Sequence, residues 1–124
     1  MVNILSLVMG GVLGTLARYG LAGSVYHKTG MDFPYGTLVV NLLGCFLVGF
    51  LDVIIERKFQ MSAAMRLMVI TGFCGAFTTF SAFILETFTL IKNGAFVSAL
   101  LYLNGSVFAG LLLFRAGILI AQLI

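Results

Sequence analysis

Apolar residues run through the 124-residue chain in four long blocks, interrupted only by short polar strings. The blocks cover residues 4–25, 36–55, 63–91 and 95–123. Between them lie "YHKTGMDFP", "ERKFQMS" and "KNG", which hold most of the charges and the only proline. A helix that crosses a bilayer needs about 20 predominantly apolar residues, and each block supplies that length. The runs are continuous rather than alternating, which argues against a β-barrel. The connections are too short to fold as separate domains. The pattern therefore predicts an all-α membrane protein, a single domain of four transmembrane helices.

Composition strengthens this reading. Hydrophobic residues make up 61% of the chain and charged residues 9%, against about 45–50% and about 25% in soluble domains. So short a chain cannot bury such an excess in one globular core. The N-terminus lacks the basic region and small-residue cleavage site of a signal peptide, so the first block is expected to remain as a membrane helix.

The formal net charge of +3 bears on orientation rather than on a nucleic-acid partner. Cytoplasmic loops normally carry an excess of Lys and Arg. With four spans, Arg57, Lys58, Arg66 and Arg115 fall on one side, and Arg18, Lys28 and Lys92 on the other. A split of four against three is almost no bias. It suits either a weakly specified single topology or insertion both ways round, which would permit an antiparallel dimer.

Candidate chemistry is sparse. Cys45 and Cys74 lie on different helices in apolar surroundings and read as small hydrophobes. One histidine, His27, falls in a polar connection and reads as solvated. With no Cys-x-x-Cys pair there is no ligand set for zinc or haem. No nucleophile stands beside a base, so the chain is not expected to be an enzyme. Asn104-Gly105-Ser106 matches a glycosylation sequon, but inside a span the match is chance.

Ionisable residues within spans are costly and default to functional candidates. Asp52 and Glu56 sit near the end of the second block, where they can reach water. Glu86 lies toward a membrane face and suits snorkelling or a vestibule lining. Arg18 shares a face with Gly11 and Gly14; it either snorkels or places a cation at the mouth of an anion path. Among neutral groups, Thr37, Asn41 and Cys45 recur every four residues, as do Tyr102, Ser106 and Gly110. An asparagine in lipid needs a partner, so Asn41 faces protein or water, as interhelical glue or as part of a polar path. Gly10 and Gly14 form a weak close-approach signal.

The third block is the unusual one. Its centre reads "TGFCGAFTTFSAF" (residues 71–83). Glycine and β-branched threonine both disfavour helix, so clustering Gly72, Gly75, Thr78 and Thr79 predicts a break near Gly75–Thr78. The bland alternative is an unbroken helix with small residues for close packing. Non-helical backbone at membrane depth is tolerated where protein or a water-filled path satisfies it. In broken transporter helices the freed carbonyls hold cations and the freed N–H groups face anions. Phe77, Phe80 and Phe83 recur every three residues. Such a stripe usually packs, yet an aromatic ring has a positive edge that can favour an anion without carrying a charge.

Three blocks, "GGVLGTLARY" (residues 10–19), "GTLVVNLLG" (residues 36–44) and "TGFCGAFTTFSAF", together resemble the Fluc (CrcB) fluoride channel family. The resemblance covers essentially the whole chain. It implies an antiparallel, dual-topology homodimer in the cell (inner) membrane, with two pores, a structural sodium ion at its centre and passive, selective export of fluoride. By motif, Asn41 is similar to the pore asparagine, Phe80 and Phe83 to the rings that border the fluoride path, and Arg18 to the vestibule arginine. Gly75 and Thr78 resemble the positions whose backbone carbonyls hold Na+. Tyr102 and Ser106 resemble the polar track of the fourth helix, and Thr37, Thr79 and Ser81 add hydroxyls to the implied pore. The chain departs from the family where T-F-S-T-F-S often stands: it reads T-F-S-A-F-I, without hydroxyls at Ala82 and Ile84. Gly110 stands where some members carry serine.

Two other functions fit a small four-helix membrane protein. A proton-coupled drug exporter needs an embedded carboxylate, and Asp52 and Glu86 both lie toward block ends. A non-transporting assembly subunit explains the small residues but not the Asn41 stripe.

Overall fold

The computed structural model describes residues 1–59 and 61–124. Gln60, together with the side chains of Phe59 and of Lys58 from the basic count, lies outside the described residues. Helix α1 spans Val2–Thr29, α2 spans Tyr35–Ile54, and one π-helical turn, Ile55–Phe59, continues α2. The third span starts with α3 (Ala63–Arg66), widens into π-helical turns over Leu67–Cys74, and ends its first half in α4 (Gly75–Phe77). Its second half is α5 (Phe80–Lys92), and α6 (Phe96–Leu123) completes the chain. Four helical segments are long and apolar enough to cross a membrane: Val2–Thr29, Tyr35–Arg57, Ala63–Lys92 and Phe96–Leu123. The chain is a multi-pass helical membrane protein.

Helix ends follow capping chemistry. The Ser62 hydroxyl accepts the Met65 N–H and starts α3. At the end of α1, His27 and Lys28 occupy the last turn, where cations favour the negative end of the helix dipole. This corrects the expectation that His27 lies in a loop. The turn closes on Gly30, whose φ of 80° suits the residue without a Cβ. Glu56 and Arg57, expected in the second connection, instead belong to the π-helical turn beyond α2.

α1 packs against the π-helical half of the third span, and α2 packs along α6. Both seams depend on missing side chains. A Cβ at Gly14 would run into the Phe73 carbonyl, and Cβ atoms at Gly49 and Gly117 would meet the carbonyls of Phe114 and Phe46. Without a hydrophobic force between helices in lipid, such backbone contact is how spans hold together. A small core of Phe83, Leu90, Ala99 and Tyr102 closes the α5–α6 end. Large apolar residues such as Val12 and Leu16 on α1, and Phe108 and Leu112 on α6, face outward, as a lipid-facing surface requires.

Candidate functional site

Between α4 and α5 the backbone leaves the helix for two residues. Thr78 has φ −89° and ψ 162°, and Thr79 has φ −150° and ψ 122°, both extended. Such backbone exposes an N–H and a carbonyl that a helix would satisfy. Asn41, one turn and a half into α2, meets both: its Nδ2 donates to the Thr79 carbonyl at 2.9 Å, and its Oδ1 accepts the Thr79 N–H at 2.8 Å. One side-chain amide thus stands in for a strand partner. In a continuous helix the Thr79 N–H would reach the Gly75 carbonyl; here it is turned away. From the other side, Arg18 of α1 extends Nη1 to the Thr78 carbonyl at 3.5 Å, a long contact. The Thr79 hydroxyl then accepts the Ala82 N–H and opens α5.

Two cavities meet at Thr79. The first, about 380 Å³, is lined by Asn41, Cys45, Thr79, Phe80, Phe83 and Ser106 among others. Among the described residues, no charged side chain lines it and the buried Ser106 Oγ has no hydrogen-bond partner. Phe80 and Phe83 lie 5.9 Å apart, centre to centre, with planes tilted 44°. They are not equivalent, since Phe80 is 74% exposed and Phe83 6%. The second cavity, about 570 Å³, holds Arg18, Thr37, Thr79 and Ser81, with Tyr19 and Tyr26.

Of the residues singled out in the sequence, Asn41, Thr79, Phe80, Phe83 and Ser106 therefore share one space. Arg18, Thr37 and Ser81 share the other with Thr79. Tyr102 lines neither. It is 1% exposed, packs against the Phe83 ring at 4.9 Å, and donates its hydroxyl to Glu86 Oε2 at 2.7 Å. The Thr37 hydroxyl donates to Glu86 Oε1 at 2.6 Å, and the Tyr26 hydroxyl donates to the same oxygen at 3.2 Å. Glu86 is thus the hub of three hydroxyl donors from α1, α2 and α6. Sequence reasoning gave Glu86 no such company and passed over Tyr26 altogether. The residues that meet there are 11 to 76 positions apart, and no spacing rule connects them.

Gly75 is exposed, and only the Ile70 carbonyl, at 4.0 Å, lies near where its Cβ would be. Its carbonyl and that of Thr78 are hard oxygen donors, the type a monovalent cation accepts, and the Thr78 carbonyl already takes the long contact from Arg18 Nη1. Among the described residues, no group of His, Cys, Asp and Glu is arranged to hold a metal ion.

Comparison with known proteins gives a consistent result. A protein-family profile described as CrcB-like protein, Camphor Resistance (CrcB), matches residues 5–118. A protein of Desulforapulum autotrophicum named "Fluoride-specific ion channel FluC" is 47% identical over 120 residues, covering 95% of this chain and 94% of its own. A protein of the same name from Geobacter sulfurreducens is 45% identical over 122 residues, covering 98% of each chain. Another from Nitratidesulfovibrio vulgaris is 42% identical over 118 residues, covering 95% of each.

Proposed function

The chain belongs to the CrcB family, and from that premise we propose that it is a fluoride-selective channel, passively exporting fluoride across the cell (inner) membrane. The names of the relatives support this reading and lend no support to a proton-coupled exporter. The observation that carries it at the level of residues is the first cavity. Among the described residues it joins an amide, two phenylalanine rings and a buried, unpartnered hydroxyl with no charged side chain in the lining. Fluoride is small and holds its water strongly, so a path must return hydrogen bonds as water is shed. A fixed cation in that space would trap the ion. Neutral donors and positive ring edges let it enter and leave, which conduction requires.

Asn41 supplies the amide; one of its two N–H groups is engaged with Thr79, and the other remains available to an ion. Phe80 and Phe83 supply the edges, while Thr79, Ser81 and Ser106 supply hydroxyls. Arg18, in the second cavity, draws anions toward the path and stays outside its narrow part. Thr37 and Tyr102 act through Glu86, their shared acceptor.

We read the extended pair Thr78–Thr79 as a break of the third span at membrane depth. Two copies then meet antiparallel across it, consistent with the near-even basic residues. Gly75 and Thr78 of each copy would hold a sodium ion through their carbonyls. That ion supplies a hard positive charge that ties two backbones together. The exposed Gly75 favours this arrangement, because a side chain there would keep the copies apart.

The deciding experiment is fluoride-electrode efflux from liposomes containing the purified protein. Rapid fluoride release with chloride retained is expected. Release no faster than from empty vesicles, or equal passage of chloride, overturns the reading.

A further inference from the structure

Cys45 belongs to the four-residue pattern on α2 and lines the first cavity, yet the family reading gives it no role. It lies one turn beyond Asn41 on α2, and Gly110 lies one turn beyond Ser106 on α6, so the two pairs oppose each other. Gly110 is buried, and a Cβ built on it would stand 3.3 Å from the Cys45 Sγ. A side chain at position 110 would therefore press on the thiol, which would have to shift by a few tenths of an ångström. Cys45 lines the same cavity as the unpartnered Ser106 hydroxyl. Cys74, the other free cysteine, is buried and lines neither of the two cavities described.

We propose that Cys45 is a donor wall group of the anion path, its S–H continuing the donor series Asn41–Ser106 where Gly110 offers none. The proposal rests on the channel reading above. A thiol is a weak donor with a large, polarisable sulfur. It coordinates an anion loosely while filling the space left by the glycine. Cys45 and Gly110 thus form one exchangeable unit, in which a donor on either helix serves the same point of the cavity.

The test uses the full chain in liposomes, with flux normalised to assembled protein. Cys45→Ser keeps a donor and should conduct within about twofold of wild type. Cys45→Ala should lose about threefold, the order expected for one weak hydrogen bond. Cys45→Val restores bulk without a donor and should not recover. Gly110→Ser alone crowds the thiol and should lower flux, whereas Cys45→Ala with Gly110→Ser should return toward wild type. That reversal of sign is the signature of two groups sharing one place. If Cys45 only packs, Cys45→Val recovers and the double variant does not, and the proposal falls. It also falls if Cys45→Ala conducts as wild type. Absence of fluoride flux in the wild-type protein would instead remove the channel reading, so the two failures are distinguishable.

Discussion

Helix α2 meets α6 in two ways along its length. Toward its C-terminal end the two backbones touch, with Gly49 against Phe114 and Gly117 against Phe46. Toward Asn41 and Cys45 the same pair of helices borders a cavity of about 380 Å³ that also reaches Thr79, Phe80 and Phe83. The closed end is held by van der Waals contact between main chains. The open end is held by polar groups that answer the non-helical backbone of Thr78 and Thr79. Rigidity and a polar path are thus kept on one helix pair, about two turns apart. The glycines fix the spacing that the amide then uses.

The sharpest way to break this comparison is at Asn41. Asn41→Asp keeps an acceptor for the Thr79 N–H but turns a carboxylate oxygen toward the Thr79 carbonyl, with a negative charge in an anion's path. Fluoride flux per assembled protein should fall at least tenfold, a factor equal to about 1.4 kcal/mol. Unchanged flux would mean that the amide neither shapes nor lines the path.

The closed end should respond in the opposite manner. Gly49→Val drives a side chain into the Phe114 backbone, and overpacking of this kind costs about 1–3 kcal/mol. The folded, assembled yield in detergent should drop, while the surviving fraction conducts normally. If flux per assembled protein fell as steeply as for Asn41→Asp, the two ends would not be separable.

The two phenylalanines refine the open end. Phe83 is buried against Tyr102 and Phe80 is largely exposed. Phe83→Ile should therefore lower both flux and thermal stability, the latter by about 1 kcal/mol. Phe80→Ile should lower flux and leave the melting midpoint of the detergent-solubilised protein in place. Equal stability losses would show that Phe80 is packed in the assembled protein as Phe83 is in one copy.

Some of this was legible in the sequence and some was not, for identifiable reasons. Four helical spans follow from block length and apolarity alone. The end of α1 ran past its expected limit because His27 and Lys28, polar by composition, suit the last turn of a helix. Helix-weak residues marked residues 72–79 as unusual, but composition does not reveal π-helical turns over Leu67–Cys74. The cost of an unpartnered asparagine in lipid placed Asn41 against protein or water. The bond of Asn41 to Thr79, 38 positions away, and the gathering of Tyr26, Thr37 and Tyr102 on Glu86 depend on how four helices cross. The family resemblance named the residues without dividing them between two cavities. The chain's own departure at Gly110 had meaning only once Cys45 was found opposite it.

The smallest effect is expected just beyond the closed end, where Arg66 Nη2 meets Asp52 Oδ1 at 2.6 Å across the connection between α2 and α3. Both side chains are substantially exposed, at 53% and 41%, so water and salt screen the pair. Such surface pairs are worth about 0–1 kcal/mol. Asp52→Asn should therefore shift the thermal midpoint slightly at low salt, not at all at high salt, and leave fluoride flux as it was. The comparison is informative because Asp52 lies three residues past Gly49 on the same helix. If removing one exposed charge destabilised the protein as much as Gly49→Val, the backbone contact of α2 with α6 would weigh no more than a surface ion pair of α2 with α3. A thermal melt of the two variants side by side, at two salt concentrations, decides which of the two contacts of α2 carries more of the stability.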